Sequence, residues 1–212
     1  MPSLHRLTGL LAAVALSSAS CGVIAAPMTV LPREAGGSRA LSASGAFSPH
    51  EPGMDHHGIA RTLRDLHTGL LPAEIEHVSR VIIAEARRAN LSPALVLAVI
   101  RVESSGYNFA RSHKGALGLM QLLPDTGAWV AKRTGIPWHG PDTLFDSGTN
   151  VRLGIAYLEQ LIRRYGSVHT ALAAYNWGPT KISRFIRNGQ PVPAVYADRV
   201  LDTYGAVVGR RV

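Results

Sequence analysis

Residues 92–106 read Ser92-Pro93-Ala94-Leu95-Val96-Leu97-Ala98-Val99-Ile100-Arg101-Val102-Glu103-Ser104-Ser105-Gly106. Ser92 is an N-cap residue, and Pro93 stands at the first helical position, where a missing N–H costs nothing. From Leu95 to Val102 only Arg101 is polar. A surface helix shows an apolar stripe, whereas a helix that is apolar on nearly every side runs through the interior. Gly106 and Tyr107 close it. An interior helix of this kind needs other helices around it.

The flanking sequence supplies them. Upstream, Ile75, Val78, Ile82, Ala86 and Ala89 recur at three and four residues behind Pro72, an amphipathic helix that Asn90 and Leu91 end. Downstream comes a Gly-rich stretch from Ser112 to Met120. A helix then runs from Pro124 through Trp129 and Val130 to Gly135. A long one follows over about Asp146 to Tyr165, with Val151, Ile155, Leu158 and Ile162 at helical spacing. Shorter helices are expected near Val168–Tyr175, Thr180–Asn188 and Ala194–Val208. Neither strand alternation of useful length nor an internal repeat occurs. The expectation is all-α, a single domain over residues 71–212.

The first 70 residues have a different composition. Met1 to Arg6 is basic, Leu7 to Leu16 is an apolar run broken by Thr8 and Gly9, and small residues follow to Ala26. That order marks a secretory signal over residues 1–25, too short in its apolar part to span a bilayer. No later segment has the length for a transmembrane span. An exported, periplasmic location follows. Cys21, the one cysteine, has two readings: a lipid attachment site after Ser18-Ala19-Ser20, or a residue discarded by cleavage near Ala25. The second is preferred, because Ser18 stands where a lipoprotein signal has an aliphatic residue. Residues 26–70 are rich in Ala, Ser, Gly and Pro and read as a disordered linker. Asp55-His56-His57, with His50 and His67 nearby, lacks the paired spacing of a metal site.

The chain carries 22 Lys and Arg against 14 Asp and Glu, a net charge of +8. A basic exported protein is drawn to polyanions, and peptidoglycan with free peptide carboxylates, teichoic acids and lipopolysaccharide all qualify. No basic run is interleaved with aromatics, which argues against nucleic acid as a partner.

Glu103 is the candidate for chemistry. It falls at the end of the apolar helix, where desolvation favours the protonated carboxyl and raises its pKa. A carboxylic acid that keeps its proton near neutral pH is what glycosidic cleavage needs, because the leaving oxygen must be protonated. Position alone is weak support, since most glutamates at helix ends point to water.

The motifs around it are more specific. Glu103-Ser104-Ser105-Gly106, then Gly115-Ala116-Leu117-Gly118-Leu119-Met120-Gln121-Leu122-Leu123-Pro124, then Ala174-Tyr175-Asn176-Trp177-Gly178-Pro179 resemble the soluble-type lytic transglycosylase (SLT) family. Asn150, Gly154, Tyr157 and Leu158 fit its Asn-x-x-x-Gly-x-x-Tyr-Leu helix, and Tyr196-x-x-Arg199-Val200 fits its close. The resemblance covers about Pro72 to Val208. It implies a lysozyme-like fold with a saccharide cleft and no metal or organic cofactor. It also implies a non-hydrolytic reaction at the bond between N-acetylmuramic acid and N-acetylglucosamine. One Glu, here Glu103, would protonate the bridging oxygen. As a carboxylate it would then draw a proton from the muramoyl 6-hydroxyl, leaving a 1,6-anhydro ring. The resemblance further implies that the substrate's acetamido group would support the cation, so that no second acid would be required.

The resemblance also suggests substrate-binding roles. Ser104 could bond the substrate or the acid, or satisfy the helix end. Gly115 and Gly118 would let backbone approach the glycan, or simply make a turn. Leu119, Met120 and Gln121 would line the cleft, although Met120 by itself reads as core. Tyr175 would place its hydroxyl near Glu103, and Asn176 would fix that turn through backbone. Trp177 departs from the smaller residues common there, and is a sugar platform or a core plug. Asp125, a conceivable second carboxylate, follows Pro124 at a helix start, where an acid complements the helix end. Asp146 reads the same way. His113 and Lys114, in the loop after Glu103, would meet the wall's peptide carboxylates or nothing at all. A goose-type lysozyme-like hydrolase and a non-catalytic wall-binding scaffold are the rival readings. Secretion or conjugation machines are the partners such small enzymes often serve.

Overall fold

The computed structural model describes residues 54–209. The expected signal, Cys21 and most of the expected linker lie outside them. Eight α-helices make up the described part: α1 His56–Asp65, α2 Pro72–Arg88, α3 Pro93–Ser104, α4 Pro124–Thr134, α5 Ser147–Tyr165, α6 Val168–Trp177, α7 Pro179–Arg187 and α8 Val195–Val207. A 3-10 turn, Pro141–Phe145, precedes α5. Among the described residues, extended pairing is limited to isolated antiparallel bridges, Arg111 with Leu117 and Leu117 with Leu122. The all-α expectation holds.

The start of α3 is capped as its sequence requires, with Ser92 Oγ accepting from the N–H groups of Ala94 (3.1 Å) and Leu95 (3.4 Å). Ala94 through Ile100 have no exposed surface at all. The helix is therefore wrapped, with α8 and α2 among the elements against it. It ends where Ser105 turns left-handed at φ +54°.

Two apolar clusters share the interior. Ile59, Leu63, Val78, Ile82, Leu95, Val99 and Val200 join α1, α2, α3 and α8. Leu122, Val130, Leu144, Leu161, Ala173 and Ile182 join α4, α5, α6 and α7. Helix α5 serves both, giving Val151, Ile155 and Leu158 to the first and Leu153, Tyr157 and Leu161 to the second.

The linker expected up to residue 70 is corrected here, because residues 56–65 form α1. Asp55 caps it by accepting from Gly58 N–H at 2.8 Å, and Ile59, Ala60 and Leu63 are fully buried. Three apolar residues on one side of an otherwise polar helix are enough once α2 lies beside them. His56 sits 3.0 Å from Glu76 Oε2, so it does local structural work. Among the described residues no group of three or more His, Cys, Asp and Glu converges as a metal would need. None of their helices is long and apolar enough to cross a membrane.

Candidate active site

The loop between α3 and α4 is folded against α5 by one buried amide. Asn150, with no exposed surface, accepts from Met120 N–H (2.8 Å) and donates to the carbonyls of Leu117 (3.0 Å) and Leu144 (2.9 Å). Gly118 is what admits it: a Cβ at residue 118 would fall 2.3 Å from Asn150 Nδ2 and from Leu144 O. Gly154, one turn further along α5, is needed for Met120, whose Sδ would lie 2.4 Å from an added Cβ. Gly118 therefore makes room for protein rather than for glycan. Met120 is core with no exposed surface, and so is Leu119.

Ser104 also faces inward. Its hydroxyl oxygen is 2.8 Å from Leu119 O and 3.0 Å from Ile100 O, either of which can take its proton, and it accepts from Gly106 N–H at 3.1 Å. It fastens the end of α3 to the loop.

What remains is an open cleft of about 500 Å³. Glu103, in the last turn of α3, sits in it with Val102. Ser112, His113, Lys114, Ala116, Gln121 and Leu123 come from the loop, Tyr175, Asn176 and Trp177 from the end of α6, and Val195, Tyr196 and Arg199 from α8. Gln121 is held at φ +47° while its Nε2 donates to Gly118 O (2.9 Å) and Ala110 O (3.1 Å). That leaves its amide oxygen without a donor among the described residues. Asn176 is exposed in the last turn of α6 and lines the cleft, rather than bracing a turn through backbone.

Burial pushes the Glu103 carboxyl up to about 7. Two neighbours oppose this: a hydrogen bond from Tyr196, then the positive charge of Arg199. The Tyr196 hydroxyl donates to Glu103 Oε1 at 2.5 Å, and Arg199 is anchored through Nη2 to Val102 O at 2.8 Å. The Tyr175 hydroxyl donates to Met120 O at 2.8 Å, not to Glu103. It is still close enough that the Glu103 charge, after burial, helps raise the Tyr175 phenol well above its usual range, and the same two causes act on Tyr196. Burial, a nearby positive charge and a single strong donor give one carboxyl that can hold or release a proton near neutrality.

Glu103 is the only carboxylate among the described residues lining the cleft. Asp125 is exposed in the first turn of α4, outside the lining, and Asp146 caps α5 by accepting from Thr149 N–H at 2.8 Å. Tyr196 and Arg199 are the contributors to which no role attached from sequence, although they stand in the closing motif that matched. Their partner is 93 residues away in the chain, and no local pattern reports such a contact.

This is a lysozyme-like helical domain built around one proton-holding carboxyl. The chain belongs to the family described by the transglycosylase SLT domain, whose model matches residues 80–193. It is 34% identical over 104 residues to the soluble lytic murein transglycosylase of Salmonella typhimurium, across 48% of this chain and 16% of that protein. It is 41% identical over 95 residues to a transglycosylase of Enterobacteria phage PRD1, across 45% of this chain and 32% of that one. The lytic transglycosylase Slt from Pseudomonas aeruginosa, solved as an inactive Glu-to-Gln mutant, shares the fold with a TM-score of 0.56 at 24% identity, over 74% of this chain and 31% of that one. The chain thus spans no more than a third of the length of these three proteins.

Proposed function

We propose that this protein is an exported peptidoglycan lytic transglycosylase, cutting between N-acetylmuramic acid and N-acetylglucosamine with Glu103 as acid and then base. One observation carries the reading: a single carboxyl, raised to about 7, stands in a cleft whose described lining holds no second acid. An enzyme that activates water usually needs a second carboxylate on the other side of the sugar. A group titrating near neutrality can serve both steps. Protonated Glu103 gives its proton to the bridging oxygen as the C1–O bond breaks. The carboxylate left behind, stabilised by Tyr196 and Arg199, takes the proton of the muramoyl 6-hydroxyl as that oxygen bonds to C1. The 1,6-anhydro product leaves and Glu103 is again protonated, so no water is consumed.

The names of the relatives support this, as does the inactivity of the Glu-to-Gln Slt mutant. The cleft-facing groups, Gln121, Asn176 and the ring of Tyr175, would hold the sugars. Ser104, Gly118, Leu119 and Met120 would act one layer behind, by fixing the loop. The basic, apolar and small leader argues for work in the periplasm. Cutting of this kind would suit a secretion or conjugation apparatus that has to pass the wall.

Mass spectrometry of digested peptidoglycan tests it. Products ending in 1,6-anhydromuramoyl residues are expected, and Glu103→Gln should abolish them. Reducing-end products alone would identify a hydrolase of the goose-lysozyme kind on the same fold. A Glu103→Gln protein that still cleared peptidoglycan would remove Glu103 from the chemistry.

A further inference from the structure

Helices α6 and α7 are joined through one residue. Gly178 ends α6, donating its N–H to Ala174 O at 2.9 Å, and opens α7, accepting from Ile182 N–H at 3.2 Å. Its φ of +84° is one that L side chains rarely adopt, and Pro179 follows at the first position of α7. This corner brings Trp177 and Lys181 together, with the Lys181 Nζ 4.0 Å from the centre of an indole ring. Trp177 lines the cleft and remains 44% exposed.

Two features are unexplained by packing. A tryptophan is a large apolar surface to leave in water, and at the edge of a cleft such a surface marks a binding site more often than a defect. Lys181 has no carboxylate partner among the described residues, and the sequence holds no acid between Glu159 and Asp198. Its contact with the indole orders both side chains in advance, so little of their freedom remains to be lost on binding.

Resting on the transglycosylase reading, we infer that Trp177 and Lys181 form a saccharide subsite for peptide-bearing sugars. The uncovered part of the indole stacks against the C–H face of a sugar ring, and the Lys181 ammonium takes a carboxylate of the peptide that the strand carries. The pair would then favour glycan with acidic peptides over a bare N-acetylglucosamine oligomer.

The Glu103→Gln protein, which binds without turnover, is titrated with N-acetylglucosamine oligomers and with peptide-bearing glycan oligomers, following tryptophan emission and calorimetric affinity. Trp129 and Trp138 stand outside the cleft lining, so the emission change on binding should come from Trp177. Adding Trp177→Leu should remove that change and weaken both ligands about tenfold, with Trp177→Phe intermediate. Lys181→Met should weaken the peptide-bearing ligand about threefold, leave the plain oligomer untouched and reduce the salt dependence of the former. Unaltered affinity in Trp177→Leu overturns the inference, as does equal weakening of both ligands in Lys181→Met, which would mark the pair as a brace for the corner. Thermal melts of each variant separate lost binding from lost folding. Failure of the Glu103→Gln protein to bind either glycan overturns the subsite and the transglycosylase reading together. Binding that ignores Trp177 overturns only the subsite.

Discussion

Glu103 sits near 7 in the fold against about 4.5 for a free glutamate, so folding takes up a proton between those values. The folded state binds the extra proton, and stability from this group falls as pH rises from about 4.5 through 7. The difference amounts to about 3 kcal/mol above pH 7. Glu103→Gln should therefore be inactive yet more stable. Its melting temperature should exceed that of the wild type by about 6–12 °C at pH 8 and by almost nothing at pH 4, as read by calorimetry at the two values. Tyr196 acts through Glu103. Removing its hydroxyl takes away a hydrogen bond that favours the carboxylate, so in Tyr196→Phe the Glu103 pKa rises further. The alkaline limb of the kcat/KM profile should move to higher pH, while kcat drops about tenfold or more because Glu103 becomes a weaker acid and the proton-donating step leaves a less stabilised carboxylate. A profile that keeps its limb and merely loses height would reduce Tyr196 to packing.

At the scale of elements, α5 is the part on which the site depends most, although it lends the cleft no side chain. Gly154 accepts Met120, Asn150 holds the loop, and the Met120 carbonyl in turn receives the Tyr175 hydroxyl. Gly154→Ala places a methyl 2.4 Å from the Met120 sulfur. It should cost about 1–3 kcal/mol by overpacking, seen in urea unfolding, and lower activity as well, since the loop must shift. Met120→Ala should partly restore stability in that background, the coupling expected of touching residues. The same elements show what could be read from residues alone. Helix α3 was legible because it is apolar on all sides, and Glu103 because it ends that helix. Helix α1 was not, because Ile59, Ala60 and Leu63 are few among histidines and charges and acquire meaning only against α2. Gly118 was legible as a glycine that mattered but not for what, since the groups filling its missing Cβ, Asn150 and Leu144, lie far along the chain. The bond from Tyr196 to Glu103 was illegible for the same reason.

The whole molecule is basic, with a net charge of +8, and the proposed substrate is an insoluble polyanion. Attraction of this type concentrates an enzyme on its substrate without setting specificity, and it is screened within about 8 Å at physiological salt. Turnover of whole peptidoglycan should fall severalfold between 50 and 300 mM salt, measured by release of soluble fragments. Turnover of short uncharged oligosaccharides should hardly change. Equal salt responses for the two substrates would place the charge outside the capture step.

The hydrogen bond between Tyr196 and Glu103 also has a bearing on time. The two residues are 93 positions apart, and chains are synthesised at roughly 5–20 residues per second. For roughly 5 to 20 seconds after Glu103 is made, its partner does not yet exist. A nascent or truncated chain ending before α8 carries the acid without the group that tunes it, in a helix still missing one of the neighbours that bury it. On the proposed function, such a chain would lack the tuned acid, and competence would arrive only with the far end of the domain.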